Sequence, residues 1–90
     1  AAEEARKIDR TNLDAALVLG YALLKNRQPE DALRVLHAAQ KAHPKAPMLH
    51  ALLGKAYSQA GDADRARQCY RYALWLEPHH KAALALQSQG

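Results

Sequence analysis

Residues 52–78 read LLGKAYSQAGDADRARQCYRYALWLEP, and residues 18–44 read VLGYALLKNRQPEDALRVLHAAQKAHP. Set one above the other, they agree at Leu19 and Leu53, Gly20 and Gly54, Ala32 and Ala66, Ala39 and Ala73, and Pro44 and Pro78, each pair 34 residues apart. Agreement at one offset, at small, apolar or turn positions, does not arise from general helical patterning, which recurs at multiples of seven or eleven. The chain therefore contains an internal repeat. One unit spans residues 13–46 and a second spans 47–80. Residues 1–12 read as the end of a preceding repeat helix or an N-terminal cap, and residues 81–90 as the start of a third unit or a capping helix.

The units are helical. Ala, Leu, Arg, Lys, Gln and Glu dominate, β-branched residues reduce to Ile8, Thr11, Val18 and Val35, and Phe is absent, a composition that favours helix over strand. Proline ends or opens a helix and glycine relaxes a turn. Pro29, Pro44, Pro47, Gly61 and Pro78 therefore cut the chain into helices at 13–26, 30–42, 47–60, 63–76 and 80–89. Joints this short force neighbouring helices to run antiparallel.

Ninety residues, 49% hydrophobic and 24% charged with only 4 Gly and 4 Pro, exclude collagen-like and disordered classes and leave room for one domain. No apolar run approaches the roughly 18 residues that span a bilayer, and no signal peptide is visible. The chain reads as soluble, in the cytoplasm or periplasm, with no membrane insertion. The single cysteine, Cys69, cannot close an internal disulfide, so packing alone must hold the fold. The net charge of +4 comes from cations scattered at helical spacing, Lys25, Arg34, Lys55, Arg67 and Arg71 among them. Such scatter describes a solvated face and not a phosphate-binding patch, and no specific nucleic-acid partner is expected.

The repeat resembles the tetratricopeptide repeat, a 34-residue antiparallel helix pair with the pattern W-x2-L-G-x2-Y, then A-x3-F, A and P. The second unit supplies Leu53, Gly54 and Tyr57, then Gly61-Asp62 at its turn, Ala66, Tyr70, Ala73 and Pro78. The first keeps Leu19, Gly20, Ala32, Leu36, Ala39 and Pro44, but has Leu23 for Tyr and Arg27-Gln28-Pro29 for Gly-Asp. Ala16 and His50 stand at the early aromatic position. The resemblance implies an all-α, right-handed superhelical stack of helix pairs. Its small residues sit where helix axes approach to about 8–10 Å, and Leu19, Leu23, Leu36, Leu53, Tyr57, Tyr70 and Leu74 interdigitate as the core. Residues 1–12 and 81–90 extend the register, with Ala5 at a small position and Leu84 and Leu86 apolar.

In this family the first helices of successive units line a concave groove that holds an extended segment or helix of a partner. Carried over by position, the groove comprises Asp14, Leu17, Tyr21, Leu24 and Lys25, then Met48, Ala51, Lys55, Ser58 and Gln59, and finally Ala82, Ala85 and Gln89. Tyr21, Leu17, Leu24 and Met48 would take apolar anchors, and Lys25 and Lys55 would meet carboxylates or carbonyls. The alternative for Leu17 and Leu24 is packing against neighbouring units. The Lys/Asn/Arg clamp that grips acidic chaperone tails is absent, because Leu17, Tyr21 and Leu52 occupy its positions. An apolar groove is more similar to bacterial chaperones of secretion subunits or to envelope-assembly lipoproteins, and the Ala- and Arg-rich composition also leans bacterial.

A second surface centres on Tyr72 and Trp75, three residues apart on one helix face. Exposed, the pair would anchor an interface, including a homo-oligomer; alternatively Trp75 folds onto Leu84 or Leu86. Open repeat ends offer another route to self-association. Nothing supports chemistry. His37, His43, His50, His79 and His80 lack metal-ligand spacing, no nucleophile triad or phosphate loop can be assembled, and Cys69 reads as a small buried filler. The expected protein is a non-enzymatic scaffold or chaperone module without cofactor.

Overall fold

The computed structural model describes residues 12–81 and 83–85, and all its regular structure is helical. Four helices follow one another: α1 (Leu13–Lys25), α2 (Pro29–Ala42), α3 (Pro47–Gln59) and α4 (Ala63–Leu76). Residues 81 and 83–85 are helical as well. The expected preceding helix at 1–12 and most of the expected helix at 80–89 lie outside the described residues.

Each boundary has a local cause. The Asn12 side chain accepts from the Ala15 N–H at 3.0 Å, and Asp62 accepts from Arg65 N–H at 3.1 Å, so both satisfy a donor that a helix start leaves free. α2 and α3 lack such a cap and instead open on Pro29 and Pro47, whose missing N–H loses nothing there. Pro44 and Pro78 lie in the turns that follow α2 and α4.

The turns inside the two units are copies. Gln28 N–H bonds Leu23 C=O at 2.9 Å and Arg27 N–H bonds Leu24 C=O at 3.1 Å; Asp62 to Tyr57 at 2.8 Å and Gly61 to Ser58 at 3.1 Å repeat the pattern. This is a Schellman closure, which needs a left-handed residue at its corner. Gly61 takes that conformation freely at φ 91°, whereas Arg27 is forced into it at φ 60°. Left-handed backbone costs a residue with a Cβ about 1–2 kcal/mol, against roughly 0.5–1 kcal/mol of extra chain entropy for glycine. Arg27→Gly is therefore expected to raise stability by about 0.5–1 kcal/mol, read as a higher urea midpoint at unchanged slope.

Packing builds a stack of two hairpins. α1 pairs with α2 and α3 with α4, while α3 also seats against both α1 and α2; no Cα of α2 comes within 8 Å of one of α4. The close approach inside each hairpin is the same one twice. A Cβ on Gly20 would lie 2.7 Å from Leu36 Cδ2, and one on Gly54 would lie 2.5 Å from Tyr70 Cε1. One cluster, around Leu24, Leu36, Leu49, Leu52 and Leu53, joins α1, α2 and α3; a smaller one joins Ala51, Ala73 and Ala83 with Leu74 packed against it. Each fully buried leucine contributes about 1.5–3 kcal/mol relative to exposure.

One expected core residue is not in the core. Leu19 is 49% exposed, and Val18 beside it 71%. Their counterparts 34 residues on, Leu53 and Leu52, are fully buried because α3 sits on the α1–α2 hairpin. No earlier hairpin covers α1 among the described residues, so the same sequence position faces outward. Leu36, Leu53 and Tyr70 are buried as expected, and Leu23, Tyr57 and Leu74 are half-buried.

Candidate functional site

α1 and α3, which carry the residues expected to line a groove, lie side by side. Their C-terminal ends are tied together: Gln59 Nε2 donates to Leu24 C=O at 3.1 Å, and Gln59 Oε1, also buried, meets no donor among the described residues. The 34-residue step sets Tyr21 against Lys55 and Lys25 against Gln59 in repeat register. Lys25 Nζ lies 5.5 Å from the centre of the Tyr21 ring, close enough for the cation to favour the ring face.

Asp14, Tyr21 and Lys25 on α1 are exposed, as is Ala85; Leu17, Met48, Lys55, Ser58 and Gln59 are half-buried. Leu17 and Met48 pack their inner sides on the larger core cluster and keep an outer edge accessible. Two expected groove residues are core instead. Leu24 is buried among α1, α2 and α3, and Ala51 is buried under Ala83 and Ala73, so neither presents a side chain to a ligand. Ala82 and Gln89 lie outside the described residues. Neither Lys25 nor Lys55 has a carboxylate partner among the described residues. By contrast Arg34, Arg65 and Arg67 on the outer helices are each paired to an aspartate three residues earlier, at 3.5, 3.5 and 4.0 Å.

The outer surface carries Tyr72 and Trp75. Trp75 is 74% exposed and Leu84 is exposed too, so Trp75 is not covered by Leu84; Leu86 lies outside the described residues. His50 is buried, with Nε2 donating to Pro44 C=O at 2.8 Å, and its ring meets the Tyr72 ring edge-on at 4.5 Å. Sequence reasoning did not single out this contact, although His50 at the early aromatic position was its signal. Arg71 was also passed over, and its signal is likewise plain: alone among the arginines of α2 and α4, it has no aspartate three residues earlier.

Among the described residues no three His, Cys, Asp or Glu side chains come together to hold a metal. His80 is engaged as a cap, its Nδ1 accepting from Ala83 N–H at 3.0 Å. Cys69 is half-buried; burial, reinforced by the charge of Asp62, pushes its thiol up to about 11. Burial, with Cys69 alongside, pushes the Tyr70 hydroxyl up to about 12. A thiol held protonated is a poor nucleophile at neutral pH. Both folded values lie above the ordinary ones of about 8.5 and 10, so the unfolded chain loses these protons first. The stabilisation is whole below about pH 8.5 and is lost as pH rises through about 11. The urea midpoint is expected to fall between pH 8 and pH 10.5, and less steeply in Cys69→Ala.

Two helix hairpins stacked one on the other define an α-helical repeat protein. A family model described as tetratricopeptide repeat matches residues 17–83, and the chain belongs to that family. Proteins of this family generally mediate protein–protein interaction and are typically non-catalytic. Neither a comparison with curated proteins nor one with solved structures returned a match. No described helix is long and apolar enough to cross a membrane.

Proposed function

We propose that the inner face of α1 and α3 holds a peptide segment or helix of another protein, as a scaffold or chaperone in the assembly of a larger complex. A bacterial secretion or envelope complex suits the Leu17, Tyr21 and Met48 side chains that stay accessible on the face. The observation that carries this reading is Tyr21, 48% exposed beside Lys25, which lacks a carboxylate partner among the described residues, as does Lys55 at the equivalent position of α3. An aromatic ring with one accessible face anchors a partner at low entropic cost, and the cations orient it. Leu17 and Met48 extend the apolar strip.

The test is crosslinking from the inner face. A photoreactive residue at position 21 is expected to capture a binding partner from the native extract. Tyr21→Ala combined with Lys55→Ala is expected to weaken that partner's binding at least about thirty-fold, the loss of a hot-spot side chain. A partner that binds the double variant equally well would show that the inner face is not the site.

A second reading rests on Val18 and Leu19, which leave an apolar strip on the outer end of α1. The same positions in the next unit are covered by a helix hairpin, so a second copy could stack there. Sedimentation of the chain with Val18→Ser and Leu19→Ser separates the readings: a lost dimer with retained partner binding favours both surfaces, each for its own role.

A further inference from the structure

No Cα of α2 lies within 8 Å of one of α4, and two open depressions adjoin Tyr72 on α4. One, of about 320 Å³, lies between the end of α2 and α4 and is lined by Gln40, Pro44, His50 and Tyr72 with Gln68; the other, about 590 Å³, runs along α4 alone, lined by Tyr72, Leu74, Trp75 and Arg71 with the same Gln68. They meet at Gln68 and Tyr72, so they form one continuous face. The aromatic residues along it are fixed from the core outward. His50 is tethered to Pro44, Tyr72 stands edge-on to His50, and Trp75 stacks on Tyr72 at 5.8 Å with planes 15° apart. Trp75 is thereby held without being covered.

Charge decides what fits. The linings of both cavities include one charged side chain, Arg71, and no carboxylate. Arg34, Arg65 and Arg67, the other arginines of α2 and α4, each bind an aspartate three residues earlier; Arg71 has Gln68 there and no ion pair among the described residues. A guanidinium left free beside a rigid aromatic wall suits a carboxylate attached to an apolar group.

We infer that this face is a second docking site, for an extended segment of another protein that sets an aliphatic side chain against Tyr72 and Trp75 and an aspartate or glutamate on Arg71. The site is independent of the inner face and stands whether or not that face binds a partner.

Selection from a displayed library of random dodecapeptides tests this on the full chain. Peptides pairing an aliphatic residue with an acidic one within a few positions are expected to be enriched. Measured by anisotropy with a labelled synthetic copy, Trp75→Ala is expected to weaken binding about thirty-fold or more and Arg71→Gln about tenfold. Tyr21→Ala with Lys55→Ala is expected to leave it unchanged, and an unchanged circular-dichroism spectrum shows that the variants fold. Loss of affinity when the peptide's acid becomes an amide supports the pairing with Arg71. The inference is overturned if enriched peptides lack an acid, or if they keep full affinity for Arg71→Gln. It is equally overturned if a single-stranded oligonucleotide displaces them, or if sedimentation shows a dimer that Trp75→Ala dissolves, which would assign the face to a second copy.

Discussion

Leu53→Ala is expected to cost about 2–4 kcal/mol, and Leu19→Ala less than about 0.5 kcal/mol, although the two leucines hold the same place in their repeats. Leu53 is fully buried within the cluster that joins α1, α2 and α3. Truncating it removes the transfer energy of three carbons and leaves a cavity that helices pinned at Gly20 and Gly54 cannot readily close. Leu19 has solvent over half its surface, and removing it opens no cavity. Small domains have only about 5–15 kcal/mol in total, so the first variant is expected to unfold at a much lower urea concentration while the second overlays the parent. Equal losses for the two would mean that α1 is covered as completely as α3, and that the exposure of Val18 and Leu19 does not persist in solution.

The second large effect is at Gly54. In an exposed helix Gly→Ala gains about 1 kcal/mol from propensity, but here the new methyl would lie 2.5 Å from Tyr70 Cε1 and 2.7 Å from Cδ1. The ring is buried and rigid, and must shift or push α4 away from α3. Overpacking of this kind costs typically about 1–3 kcal/mol, so Gly54→Ala is expected to be net destabilising by about 1–2 kcal/mol. Gly20→Ala faces the branched end of Leu36 at 2.7 Å, which a small rotation can relieve in part. Thermal denaturation is expected to rank the parent highest, then Gly20→Ala, then Gly54→Ala. A stabilised Gly54→Ala would show that propensity outweighs the contact and that the hairpin is looser than its geometry.

Much of the fold was legible because its causes are local or repeat. Asp62, Gly61, Pro29 and Pro47 mark boundaries through the backbone groups and dihedrals of their own neighbourhoods. Gly20 and Gly54 advertise a close contact, because a glycine inside a strong helix-forming sequence is otherwise unfavourable. The inner face was legible in part. Tyr21, Lys25 and Lys55 are accessible, whereas Leu24 and Ala51 are core. A helix face names the direction in which a side chain points, but its cover comes from elements elsewhere in the chain. Ala51 is shut in by Ala83, and Leu24 by helices on two sides.

From the order of residues alone follow the 34-residue step, the helices with their joints, and the small positions where the hairpins close, since capping, turn conformation and steric limits act within a few residues. The tertiary arrangement alone determines which of two equivalent leucines meets water, that Trp75 stands free on a ladder of rings rising from His50, and that Arg71 borders an exposed aromatic face. Exposure is a property of neighbours, and among the described residues the stack supplies them to α3 on both sides and to α1 on one.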